Sequence, residues 1–167
     1  ILILLGFFIY LNASFLINLI GPNLSNEAKS IATFQLRILT PCIPLSGFIG
    51  LSFGALNSRN KFLISSISPA IISVTIIFFI LLNWISNKNN VTFLPSSALL
   101  ASATLVGTFI QFFIQIWAIN KIGLLRFKSN FDTFIEEEKR ILNLILPACI
   151  SSGLGQINVY VDMFFAS

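Results

Sequence analysis

Histidine is absent from the 167 residues, methionine occurs once, cysteine twice, and only 10% of the chain is charged. Each shortage excludes something. Without histidine this stretch cannot build the common zinc constellations, a Ser-His-Asp triad or a Cys-His pair. Cys42 and Cys149 each lie inside an apolar segment, so they read as small buried apolar residues and not as a disulfide framework. An ordinary soluble domain carries roughly 25% charged residues; at 10% this chain lacks the charge to cover a water-facing surface. There is no Walker A loop, dinucleotide fingerprint or metal-ligand cluster. No enzyme chemistry, metal or cofactor is expected, and no soluble catalytic domain fits.

What the chain has is apolar length. Hydrophobic residues make up 56% of it, with a mean hydropathy of +0.91. A membrane-spanning helix needs about 20 apolar residues, and the sequence predicts an all-α, polytopic transmembrane helix bundle with about five such spans. The first runs from Ile1 to Ile20 and is stopped by Gly21-Pro22-Asn23, since proline cannot continue a helix. Asn23 to Ser30 reads as a polar loop. The second span runs from Ile31 to Leu56 and contains Pro41 and Pro44, which remove backbone donors and should bend it. Together with Gly47 they are the hinge candidates. A polar turn, Asn57 to Lys61, leads to a third span, Phe62 to Ile85, with Pro69 in its first turns. Ser86 to Pro95 is a second polar loop, and Ser96 to Ile119 the fourth span.

A longer connection, 120–140, carries most of the charge. Its later part places Phe131, Phe134, Ile135, Leu142 and Ile145 on one helical face, and Thr133 with Glu136 has capping-box spacing. It reads as an interfacial amphipathic helix, or as a helical extension of the fifth span, which starts near Ile141. The chain opens and closes inside apolar runs without an initiator methionine, so it is expected to be part of a longer protein. A cleaved signal peptide fits the first segment poorly, because the apolar run is too long and has no basic start.

The net charge of +4 reads as membrane topology before nucleic-acid binding. Arg59, Lys61, Lys121, Arg126, Lys128, Lys139 and Arg140 fall in one set of connections, Lys29 and Lys88 in the other. The positive-inside rule puts the first set in the cytoplasm. Trp84 and Trp117 lie near span ends, where aromatic belts form.

Polar residues inside the spans are the candidate site. Gln156, Asn158 and Asp162 lie in the fifth span, and a carboxylate at membrane depth marks a pathway or a paired site. Interhelical hydrogen bonding is the plainer reading. Arg37 lies in the second span, near the outer interface, where it can snorkel or contact a substrate phosphate. Gln111 and Gln115, four apart, read as glue between helices. Gly50 and Gly54 have the GxxxG spacing of close helix packing.

The ordered segments Leu36-Arg37-Ile38-Leu39-Thr40-Pro41 and Gly54-Ala55-Leu56-Asn57-Ser58-Arg59-Asn60-Lys61-Phe62 resemble the fourth-span region of the MurJ (MviN) lipid II flippases. Ser68-Pro69-Ala70 is similar to that family's opening of the next span. Leu146-Pro147-Ala148, Gln156-Ile157-Asn158 and Phe165-Ala166-Ser167 resemble its seventh span, although Leu146 stands where many members have glycine. The resemblance covers essentially the whole chain in order. It implies spans three to seven of a larger transporter: four spans of an N-terminal bundle in 1–119, a cytoplasmic connection in 120–140, and the start of a C-terminal bundle in 141–167. It also implies a bacterial inner-membrane location and alternating-access transport of an undecaprenyl-pyrophosphate-linked peptidoglycan precursor. The expected partners are the lipid bilayer, the lipid-linked oligosaccharide and the missing spans of the same chain, with no nucleic acid. A related multidrug or polysaccharide exporter is the alternative; a membrane-embedded transferase and a purely structural bundle are the readings from other classes.

Overall fold

The computed structural model describes residues 1–88, 96–123 and Val161. Among them every element is helical: α1 (Leu2–Leu11), α2 (Ala13–Ile20), α3 (Asn26–Leu39), α4 (Cys42–Ser58), α5 (Phe62–Lys88) and α6 (Ser96–Ile122). The expected fifth span and most of the charged connection lie outside the described residues.

The third and fourth spans are continuous helices, α5 and α6, each long and apolar enough to cross a membrane. The first two are broken. The α1 and α2 pair is bent by 75°, and the α3 and α4 pair by 46°. The first break was not expected from the sequence. It falls at Asn12, which sits at φ −97°, ψ 14°. Its side-chain amide donates to the Phe8 carbonyl at 2.9 Å, and its backbone N–H donates to the same oxygen at 3.0 Å. A short polar side chain that competes for a carbonyl of the preceding turn bends a helix. Ala13, the first residue of α2, is fully buried just after the bend.

The second break lies at Thr40–Pro41, at the start of the stretch where the two prolines predict it. Pro41 caps α4 and Pro44 falls in its first turn, where a helix has no use for their missing donors. Pro41, however, cannot donate back into α3, so the helix ends there. The Thr40 hydroxyl and N–H both donate to the Leu36 carbonyl, each at 3.0 Å. Gly6 of α1 fits against this corner: a Cβ there would lie 3.5 Å from the Thr40 carbonyl oxygen and 3.6 Å from Pro44 Cδ. Gly47 lies against the Leu2 side chain.

The expected loop at Asn23 to Ser30 is shorter than the sequence suggests. Ser25 caps α3, its Oγ accepting from the Ala28 N–H at 3.2 Å, so Asn26 to Ser30 form the first turn. A polar run beginning Ser-Asn-Glu is a helix start as readily as a loop.

The turn after α4 is set by Asn60, the only non-glycine residue with positive φ among the described residues, at 58°. The Lys61 N–H reaches the Leu56 carbonyl and the Asn60 N–H the Asn57 carbonyl, both at 3.0 Å. That is a Schellman closure with asparagine in the left-handed position. The Asn57 amide oxygen accepts from the Ser65 hydroxyl and so ties the end of α4 to the start of α5. Leu56 then enters a small core with Ala118 and Ile119, flanked by Ile64 and Ile122. α6 is the organising helix: it packs against α5, α4 and α3, while α1 packs on α4 and α2 on α3.

Candidate functional site

Two polar features stand out in this apolar framework. The first is a seam between α5 and α6. Ser65, Ser68, Thr75 and Asn83 of α5 are buried, as are Thr108, Gln111 and Gln115 of α6. Small residues let the helices approach: a Cβ on Gly107 would lie 3.0 Å from the Ile72 Cα. The amides of Gln111 and Gln115 both donate to the Ser68 hydroxyl oxygen, at 2.9 and 2.8 Å. Buried in apolar surroundings, each such donor needs a partner. This matches the reading of the two glutamines as interhelical glue and adds Ser68, which sequence reasoning missed. No spacing rule names a partner 43 or 47 residues away. The Gln115 Oε1 and Asn83 Oδ1 atoms are buried and have no hydrogen-bond partner among the described residues.

The second feature is a cleft of about 440 Å³ between α2 and α3. Arg37 lies in its wall with Lys29 and Thr33 on α3, facing Ser14 and Asn18 on α2. The Arg37 guanidinium also stacks over the Tyr10 ring of α1, 5.7 Å from its centre. On that side it lines a second, smaller cleft with Gly6, Pro41 and Pro44. Arg37 is therefore exposed at the junction of the two bent pairs and next to the α3–α4 corner. The signal for its neighbours was present in the sequence: Lys29, Thr33 and Arg37 are spaced by four, as are Ser14 and Asn18, which stacks each set on one helix face.

The other expected site residues fare differently. Pro41, Pro44 and Gly47 lie at or beside the α3–α4 corner. Gln156, Asn158 and Asp162 lie outside the described residues. Gly50 and Gly54 meet nothing within 4 Å among the described residues, so the close approach expected from their spacing is not made there. Trp84 and Trp117 are mostly exposed, 65% and 59%, with Lys88 and Lys121 over their rings at 6.0 and 5.0 Å. Because α5 and α6 run antiparallel, one such pair stands at each end of the hairpin, where interfacial aromatics belong.

Long apolar helices joined by polar seams, with tryptophan and lysine at their ends, define a multi-pass helical membrane protein; no metal-binding cluster occurs among the described residues. The family model described as lipid II flippase MurJ matches residues 1–167. The chain belongs to that family of transporters. It is 35% identical over 161 residues to a Synechocystis protein named "Probable lipid II flippase MurJ", covering 94% of this chain and 30% of the relative. It is 31% identical over 141 residues to a Buchnera aphidicola protein of the same name, covering 84% and 26%. It is also 31% identical over 115 residues to the "Lipid II flippase MurJ" of Thermosipho africanus, covering 67% and 22%. The chain thus spans less than a third of the length of these relatives. No solved structure matches it.

Proposed function

We propose that the protein containing this chain moves undecaprenyl-pyrophosphate-linked peptidoglycan precursor across the bacterial inner membrane by alternating access. The observation that carries this reading is the family match over all of residues 1–167, supported by the α-helical architecture. Residues 1–119 would supply four spans of one bundle, 120–140 a cytoplasmic connection, and 141–167 the start of the second bundle. Gln156, Asn158 and Asp162 would line the cavity between the bundles, since a carboxylate on the lipid face costs about 2.5–3.5 kcal/mol. Arg37 would offer positive charge to a phosphate. The Thr40–Pro41 corner would be a hinge, because Pro41 already interrupts the helical hydrogen-bond ladder, and the Ile43 N–H to Thr40 carbonyl bond, at 3.1 Å, is a weak tie across it.

The test is complementation. Full-length protein is expected to restore growth and wall synthesis to a peptidoglycan-making bacterium depleted of its essential lipid II flippase. Correct insertion without growth would contradict the proposal and favour an exporter of another cargo.

A further inference from the structure

The cleft between α2 and α3 has a chemistry of which the transport reading uses Arg37 alone. Glu27 is the only side-chain carboxylate among the described residues, and it does not line the cleft. Arg37 and Lys29 therefore face it with no anionic partner from the described residues. Lys29 spends one of its three N–H groups on the Pro22 carbonyl, at 2.8 Å. That bond anchors its ammonium and leaves two donors. Arg37 is steadied from behind by the Tyr10 ring and brings a planar fork of donors suited to phosphate oxygens. The Thr33 hydroxyl donates to the Lys29 carbonyl at 2.8 Å, so it is not a competing donor. The Asn18 amide, across the cleft, is free to orient a ligand.

Size and position narrow the ligand. The cleft, about 440 Å³, has room for a phosphate group with several waters, each of which occupies about 30 Å³. Phe34, 51% exposed, forms part of its wall and offers apolar surface beside the cations. α2 and α3 are bent 75° and 46° away from the apolar α1 and α4. α3 is amphipathic, with Asn26, Glu27, Lys29 and Ser30 in its first turns. The α2–α3 connection joins the first two spans, which puts the Asn26 and Lys29 end of the cleft at the level of lipid headgroups. A cationic, donor-rich cleft with an apolar wall at that level suits an amphiphile better than a free ion.

We propose that this cleft binds the phosphate of a membrane lipid, with Arg37 and Lys29 as its cationic arms and Asn18 as an orienting amide. The proposal does not rest on the transport reading. The phosphate can be that of a bulk phospholipid or of a polyprenyl pyrophosphate, and the experiment separates the two. Full-length protein in neutral detergent is titrated separately with dioleoylphosphatidylglycerol, undecaprenyl pyrophosphate and inorganic phosphate, and the bound species are counted by intact-complex mass spectrometry. Lys29→Ala combined with Arg37→Ala is expected to weaken binding of at least one lipid by tenfold or more. Asn18→Asp places a carboxylate in the exposed cleft without touching a buried group, so it should act in the same direction in a folded protein. Arg37→Lys, which keeps the charge and loses the fork, should weaken binding less than Arg37→Ala. Dependence confined to phosphatidylglycerol assigns the cleft to bulk lipid; dependence confined to undecaprenyl pyrophosphate assigns it to the lipid-linked cargo. Unchanged binding of both lipids in Asn18→Asp and in the double variant, or loss confined to inorganic phosphate, overturns the proposal. A failed complementation experiment would leave it standing, and its own failure would leave the transport reading intact.

Discussion

Ser68 accepts hydrogen bonds from two buried amides, and this makes it the most consequential polar atom of the α5–α6 seam. Ser68→Ala would strand both donors inside an apolar interface, at a cost of about 1–3 kcal/mol, tempered by the smaller values measured between membrane helices. A lower Tm in detergent is the expected result. Thr104→Ala is the control, because the Thr104 hydroxyl bonds only the Leu100 carbonyl of its own helix, at 2.8 Å. Equal Tm values for the two variants would remove Ser68 from this role. Asp162 belongs to the same scale. Asp162→Asn is expected to lower transport while leaving expression intact, and unchanged transport would reduce it to a packing residue. The glutamines were legible from their spacing of four, because buried amides on one helix face must find a partner. Ser68 was not, because its role depends on the register of two antiparallel helices, which no local pattern encodes. Arg37 was legible as a lone cation in an apolar segment, but the cleft that gives it company arises from the bends.

At the scale of elements, the turn after α4 gives the apolar and polar ends of the Leu56-Asn57-Ser58-Arg59-Asn60 segment each a task. Leu56 fills the core, Asn57 ties α4 to α5, and Asn60 supplies the left-handed residue. Asn60→Val should cost about 1–3 kcal/mol, since a β-branched residue resists positive φ, whereas Asn60→Gly should be tolerated; a thermal melt of the two variants decides. The α5–α6 approach makes a parallel claim. Gly107→Ala would press a methyl against the Ile72 backbone, and overpacking of that kind costs about 1–3 kcal/mol, so the Tm should fall. An unchanged Tm would mean the helices separate freely. The two unbroken spans were read from the sequence almost to their ends, because apolar length alone defines them. The bent first span was not. Its break depends on one asparagine turning its amide onto the Phe8 carbonyl, and the apolar run continues straight through it. Asn26 to Ser30 were read as loop because they are polar, although Ser25 and Glu27 carry the signals of a helix start.

For the whole molecule, the charge distribution and the helix order make one topological claim. The α4–α5 turn should face the cytoplasm and the connection after α5 the opposite side. Single cysteines at Asn60 and Asn89, probed in intact cells with an impermeant reagent, should differ, with only Asn89 labelled; equal labelling would overturn the orientation. The family was anticipated from ordered motifs along the chain, and the helical membrane architecture from its apolar length. The central claim is that the protein containing this chain carries a lipid-linked peptidoglycan precursor across the membrane, and the most direct measurement follows the precursor itself. Cells depleted of their own flippase and supplied with the full-length protein are given a labelled precursor, and an impermeant enzyme that cleaves its exposed headgroup is added outside. Cleavage is expected to be lost on depletion and restored by the full-length protein. Normal membrane insertion with cleavage still absent would contradict the central claim.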